Sequence, residues 1–336
     1  MIESRSRTAP RDDSLPPGRP GAWLLALAAS ASFACETGAG MGSETDPAGS
    51  RQTIPFDDGR AWADLERMVA LGPRPAASPA LDQLREMLET ELQAAQLTPV
   101  RQSFEAETPV GSKQMTNLIV DIPGRPLEGA PAPMVILCTH IDTKLFDFPF
   151  VGANDGGSGT AVLLELARGL AATAPHALTY RLIFLDGEEA MRTEWRGDDN
   201  TYGSRYYAQK LMRGAEFERV KACVLIDMVG DSNLRLSKDL NSDPALLGFF
   251  FQAARDNGLG QHVGAFAQPI KDDHLQFMRV GIPSCDLIDL EYGPDNGYWH
   301  TAADTLEHCS RASLAAIGRI VLLGLPKLEA WALGRP

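Results

Sequence analysis

The stretch from Arg181 to Ala190, RLIFLDGEEA, constrains the fold more than any other part of the chain. Leu182 to Leu185 is apolar without alternation, the pattern of a central parallel strand covered on both faces. Asp186-Gly187 ends the strand and puts Glu188 and Glu189 at its carboxyl end. In open α/β sheets, ligands and catalytic groups collect there. Taken alone, Asp-Gly-Glu-Glu also reads as a solvated acidic turn, so its meaning depends on other stretches.

The chain has 336 residues and 44% hydrophobic content, enough to bury a large core. Helix-like and strand-like segments alternate without an internal repeat. The expected architecture is a single α/β domain over residues 56–336, three αβα layers around a mixed, mostly parallel sheet. A net charge of −13 argues against nucleic acid or an anionic membrane as partner. It favours cationic ligands such as free peptide amino termini.

Residues 1–35 read as a leader segment. Arg5, Arg7, Arg11 and Arg19 precede an apolar run from Trp23 to Ala34, too short to span a bilayer and suited to a signal-peptide core. Export to the periplasm or the extracellular space is the expectation. Cys35 is a candidate for lipid attachment, although Ser32-Phe33 departs from the usual lipoprotein motif. Residues 36–55, rich in Gly, Ser, Thr, Asp and Glu, read as a flexible linker. Cys138, Cys223 and Cys285 sit in strand-like apolar runs, and Cys309 at a helix start. With no Cys-x-x-Cys, neither a thiolate zinc site nor a redox motif is supported.

In chain order, residues 57–71 and 78–96 read as amphipathic helices separated by Pro73 and Pro75. Residues 117–122 and 134–139 read as strands, the second running into His140-Ile141-Asp142. A loop with Phe146, Phe148 and Phe150 leads to Gly-Ala-Asn-Asp-Gly-Gly-Ser-Gly at 152–159, ahead of a strong helix. That loop lacks the Gly-Lys-Ser/Thr of a phosphate cradle. Residues 192–201 form a polar loop around Trp195, and Tyr202 opens the next helix. Residues 222–226 and 284–290 read as core strands and 244–257 as a helix. The terminal helix is expected over 312–325, with continuation past Pro326 left open.

His140, Asp155, Glu189, Asp227 and His300 all fall at or beyond a strand end or in a loop. Singly, such residues are most often structural histidines and helix caps. Together they suit zinc, whose catalytic sites use imidazole and carboxylate ligands and keep one position open. Glu188, beside Glu189, can serve as general base.

His140-x-Asp142, GANDGGSG around Asp155, DGEE at 186–189, IDMVG at 226–230 and WHT at 299–301 resemble the zinc-dependent M28 aminopeptidase superfamily. The resemblance runs from about residue 55 to the C-terminus, with the motifs in family order. Within it, the chain looks most like the animal-type glutaminyl cyclases, also seen in bacteria. Glu188-Glu189-Ala190 is followed by the Trp195 loop and Tyr-Gly-Ser-Arg, Asp272 precedes Asp273-His274, Trp299 stands before His300, and Lys144 follows His140-x-Asp142. The resemblance implies a zinc aminopeptidase-like fold with one Zn2+ on Asp155, Glu189 and His300. Glu188 would shuttle the proton, Asp227 and Asp272 would form an acidic hydrogen-bond network, and Trp195 and Trp299 would line the pocket. The implied substrates are peptides or proteins with N-terminal Gln, converted to pyroglutamate with release of ammonia.

Asp286 stands where the animal cyclases have a His that shapes the pocket, and Cys138 has no obvious disulfide partner. The glycines after Asp155 are more peptidase-like. A zinc aminopeptidase, with His140 and Asp227 holding a second zinc bridged by Asp155, is therefore the second reading. A non-catalytic binding domain on this fold is the third. Loss of Glu188 or a ligand would mark it, and none is lost.

Overall fold

The computed structural model describes residues 53–127 and 129–334. The leader and nearly all of the 36–55 linker lie outside the described residues. The first helices, α1 (Asp58–Ala70) and α2 (Pro79–Ala94), start where their caps dictate: the Asp57 side chain accepts from the Arg60 amide and that of Ser78 from the Leu81 amide. Both bury an apolar stripe containing Leu65, Met68, Leu81, Leu84, Leu88 and Leu92.

A hairpin of β1 (Val100–Thr108) and β2 (Gly111–Ile122) follows. Only the second half of β2, residues 117–122, is marked as a strand by its sequence. Residues 100–108 bury just Phe104 and Ala106, so the charged outward face masks the strand. Next come β3 (Met134–His140), α3 (Gly159–Ala172), β4 (Thr179–Leu185), α4 (Tyr202–Met212) and β5 (Val220–Asp227). Then follow β6 (Leu236–Asp239), α5 (Pro244–Asp256), β7 (Val263–Gln268), α6 (His274–Arg279), β8 (Ser284–Ile288) and α7 (Arg311–Leu333).

The main sheet has the order β1-β2-β4-β3-β5-β8, with β4, β3, β5 and β8 mutually parallel and β1 and β2 antiparallel. Side chains alternate between its faces, as the strand period requires. Val135, Leu137, Leu182, Phe184, Val224 and Leu287 pack under α1, α2, α3, α5 and α7. Ile136, Cys138, Ile183, Leu185, Cys223 and Leu225 pack under α4 and α6. The expected three layers are thus present. Cys138 does have a neighbour: Cys223 Sγ lies 3.5 Å from its sulfur, both as free thiols. α7 continues through Pro326 because Leu325, Leu328 and Ala332 are buried beyond it. That burial outweighs the lost helix hydrogen bond.

Strand β3 lies between β4 and β5, so the β3-to-β4 and β4-to-β5 connections run in opposite directions across the sheet. That reversal opens a crevice at the carboxyl ends of β4, β3 and β5.

Candidate metal centre

Three neighbouring strands deliver side chains to this crevice. His140 ends β3, Asp227 ends β5, and Glu188 and Glu189 follow β4. Asp155 comes from the glycine-rich turn, held at φ −78° and ψ 107° between Gly152 (φ 51°) and Gly156 (φ 78°). A Cβ at Gly156 would strike the Asp142 carbonyl oxygen, so only glycine lets the turn approach β3 this closely. His300 arrives from the loop before α7 with φ 54°, a left-handed conformation that is strained for this residue.

Donor atoms from two triads, Asp155–Glu189–His300 and His140–Asp155–Asp227, lie within 4.8 Å of one another and share Asp155. His300 Nε2 is 3.1 Å from Glu189 Oε1 and 3.3 Å from Asp155 Oδ2. His140 Nε2 is 3.0 Å from Asp227 Oδ1 and 3.4 Å from Asp155 Oδ1. Asp155 Oδ2 and Glu189 Oε2 are buried and complete no hydrogen bond, their near donors being His300 Nε2 at 3.3 Å and Lys144 Nζ at 3.4 Å. Buried carboxylate oxygens are normally satisfied, and a cation bound by oxygen and imidazole would do so here. The residues therefore fit a metal ion.

Glu188 is buried beside both triads and belongs to neither, its Oε2 3.9 Å from His140 Nδ1. The turn that separates it from Glu189 is pinned by Asp142, whose two carboxylate oxygens accept the Glu188 and Glu189 amides at 3.1 and 3.2 Å. Lys144 is buried too, donating to the Ala190 carbonyl at 3.0 Å and lying 3.4 Å from Glu189 Oε2.

The electrostatics follow from many acids in one dry crevice. Burial pushes the Asp272 carboxyl well up, with Asp227 and Asp273 adding to it. Burial works against the His300 imidazolium, but Asp155 and Glu189 override it and lift the ring to about 10. Burial would raise Asp155, yet His140 and His300 bring it below the usual carboxylate range.

Trp299 is 38% exposed and stacks on His300 with ring centroids 4.3 Å apart. Phe146 and Phe150 meet the same ring edge-on at 5.6 and 6.0 Å. Trp195 is half-buried and makes no such ring contact among the described residues, although its loop returns to the site where the Thr201 amide donates to the Glu188 carbonyl at 2.8 Å. Asp272 accepts the Asp273 amide at 2.5 Å, and no direct hydrogen bond to Asp227 is present among the described contacts. Asp286 is fully buried, with Asp272 and Asp227 among the charges that bear on it.

Two supporting residues are barely marked in the sequence. Asp304 accepts the amides of Asn154 and Asp155 at 2.7 and 3.1 Å, fixing the turn that carries Asp155. Its place three residues after Thr301 is the one available clue. Arg74, buried on α1's exit loop, donates to the carbonyls of Met68, Gly72, Val151 and Gly152. Nothing in Pro73-Arg74-Pro75 announces that. A separate surface cavity of about 690 Å3, lined by Leu97, Ile119, Arg181, Tyr207 and Leu211, holds none of these groups.

Residues 117–324 match Peptidase family M28. The chain is 31% identical to the glutaminyl-peptide cyclotransferase-like protein of Mus musculus, over 80% of this chain and 76% of the mouse protein. It is similar in structure to Acidobacteriales bacterium glutaminyl cyclase, with TM-score 0.79, 34% identity and coverage of 85% of this chain and 99% of that one. A Zn-dependent exopeptidase from Parabacteroides distasonis gives TM-score 0.70 at 28% identity, covering 80% of this chain and 98% of that one. With its sheet-edge metal-type site and matches of this extent, the chain belongs to peptidase family M28, in its glutaminyl cyclase branch.

Proposed function

We propose that the protein is a zinc-dependent glutaminyl-peptide cyclotransferase acting on peptides and proteins with N-terminal Gln. Asp155, Glu189 and His300 would hold the zinc, and in this one-metal reading Asp227 stays free of metal. The bound metal supplies Lewis-acid polarisation of the γ-carbonyl. Glu188 accepts a proton from the α-amine as its nitrogen bonds to the γ-carbonyl carbon. It returns that proton to the amide nitrogen as the carbon–nitrogen bond breaks and ammonia leaves. Asp227 and Asp272 accept or share hydrogen bonds with the reacting groups, since two close buried carboxyls do not both stay charged. Trp299 forms an apolar wall beside His300, and Trp195 is carried on the loop that follows Glu189. Because both reacting groups sit in one residue, the pocket needs mainly to hold the bent conformer and stabilise the oxyanion.

The observation that carries this reading is Glu188, a buried acid adjoining both triads and part of neither. The test incubates the purified, zinc-loaded protein with Gln-Xaa peptides: ammonia and pyroglutamate support cyclisation. The second reading, an aminopeptidase, is favoured by the His140–Asp155–Asp227 set, which suits a two-metal water-activating centre. Free amino acids without pyroglutamate would establish it instead. The proposal extends to an exported enzyme, supported by the basic-then-apolar order of residues 1–35, with Cys35 open to lipid attachment. Cell fractionation tests it. Among the described residues no helix is long and apolar enough to cross a membrane.

A further inference from the structure

On the face of the sheet covered by α4 and α6 lies a second buried set, two of whose members, Asp239 and His274, have no part in the reaction above. It comprises Asp239 at the end of β6, His274 at the start of α6, and Asp286 on β8, all with fully buried side chains. Asp239 is anchored on several sides: the Ser242 hydroxyl donates to it at 2.6 Å, and the Asn241 and Ile270 amides at 2.9 and 2.8 Å. Burial would raise its carboxyl, but His274 and these donors outweigh burial and hold it below the usual range. His274 Nε2 lies 3.0 Å from Asp239 Oδ2, and its Nδ1 faces Asp286 Oδ2 at 3.9 Å. Neither ring nitrogen and neither Asp286 oxygen completes a hydrogen bond to a described residue.

Buried polar groups in folded proteins are paired almost without exception. At 3.9 Å the Nδ1–Oδ2 pair lies just beyond direct hydrogen-bond reach. A small rotation of the imidazole pairs both sides at once. The Ser242 hydroxyl already ties the two acids together, since it also accepts the Asp286 amide at 2.9 Å. An imidazole whose Nε2–H points at a carboxylate offers a lone pair on Nδ1. Asp286 can donate to that lone pair because burial, with Asp272 and Asp227 next, drives its carboxyl toward the neutral form.

We propose that His274 is a positioning residue: gripped by Asp239 through Nε2, it takes the Asp286 carboxyl on Nδ1 and so fixes that acid in place. This rests on the cyclase reading. Removing the acceptor leaves free to swing a buried acid whose charge acts on Asp272 and Asp227.

The test uses two partial mimics of histidine on the zinc-loaded full chain, with ammonia release from a Gln peptide as the assay. His274→Asn keeps an acceptor near the Nδ1 position, and His274→Gln keeps a donor near Nε2. The expectation for H274Q is a kcat loss of about 10-fold or more, the scale of outer-sphere effects, with KM, zinc content and melting temperature held. H274N should retain most of the activity. Asp286→Asn should match H274Q, and the double variant H274Q/D286N should be no worse than the poorer single, since coupled residues are not additive. Equal losses for H274N and H274Q, or additive losses in the double variant, overturn the proposal. The imidazole nitrogen resonances give a readout independent of turnover: the Nε2–H tautomer is expected in wild type, and should be lost in Asp239→Asn. A wild-type Nδ1–H tautomer would overturn the assignment whichever reaction the enzyme performs. Absence of ammonia release by wild type would sink the cyclase reading alone, leaving the resonances to decide this one.

Discussion

Glu188 and Glu189 are neighbours in sequence with different surroundings. Glu189 meets His300 at 3.1 Å and Lys144 at 3.4 Å, whereas Glu188 turns toward His140. Successive side chains on extended backbone point to opposite sides, and Asp142 freezes that divergence by holding both amides. Glu188→Gln is therefore expected to keep its metal and lose about 100-fold or more in kcat, the range of general acid–base catalysis. Glu189→Gln should lower metal retention first. Metal analysis beside ammonia release separates the two, and equal zinc loss in both variants would refute the assignment. The acids themselves were legible as Asp-Gly-Glu-Glu. The roles of Asp142 and Asp304 were not, because each acts on backbone amides distant in the chain.

At the scale of elements, α2 is locked to the sheet by one buried ion pair. Arg85 donates to Asp186, at the exit of β4, and to the Thr116 carbonyl at 3.0 Å, while Asp186 accepts the Thr116 amide at 2.7 Å. Even so paired, burial lifts Asp186 to about 6, with Asp142 adding to it and Arg85 opposing. Breaking such a pair on one side leaves an uncompensated charge. Arg85→Met is expected to cost about 3–5 kcal/mol in denaturant unfolding, while Arg85→Met with Asp186→Leu recovers much of it. A loss under about 1 kcal/mol would show the pair to be dispensable. The helical stripe of α2 was readable from Leu81, Leu84, Leu88 and Leu92. The partner of Arg85 was not, since it lies 101 residues away.

For the whole molecule, stability should depend on pH through acids buried as neutral groups. Asp289, just past β8, accepts the Arg235 amide at 2.6 Å, and burial, with Asp231 adding, lifts its carboxyl to about 8. The ordinary value is 3.8, so between about 4 and 8 the folded state holds a proton that the unfolded chain releases. Its contribution is present below the lower value and is lost as pH rises through the upper one. Asp289→Asn should flatten the fall in melting temperature across that window, and an unchanged pH profile would refute the assignment. Metal binding is the second global term. At a free zinc concentration 1,000 times Kd, a bound ion stabilises by about 4 kcal/mol. Chelation should therefore lower the melting temperature and zinc should restore it; no shift would count against the site.

The parallel core was dictated by local chemistry. Unbroken apolar runs at β3, β4 and β5 demand burial on both faces, and Asp57, Ser78 and Pro244 set helix starts without tertiary help. The order of motifs along the chain marked the metal-type residues, because ligands must leave the carboxyl ends of such strands. Local pattern could not show β1, whose charged face is solvated, nor the run of α7 through Pro326, which its buried residues beyond the proline impose. It could not show that His140 and Asp227 stand as close to Asp155 as Glu189 and His300 do. Nor could it set His274 between two acids from separate strands. Those distances depend on sheet order and crossover direction. They arise only when segments far apart in the chain pack into one core, with nearest-neighbour preferences having no bearing on which strand ends meet.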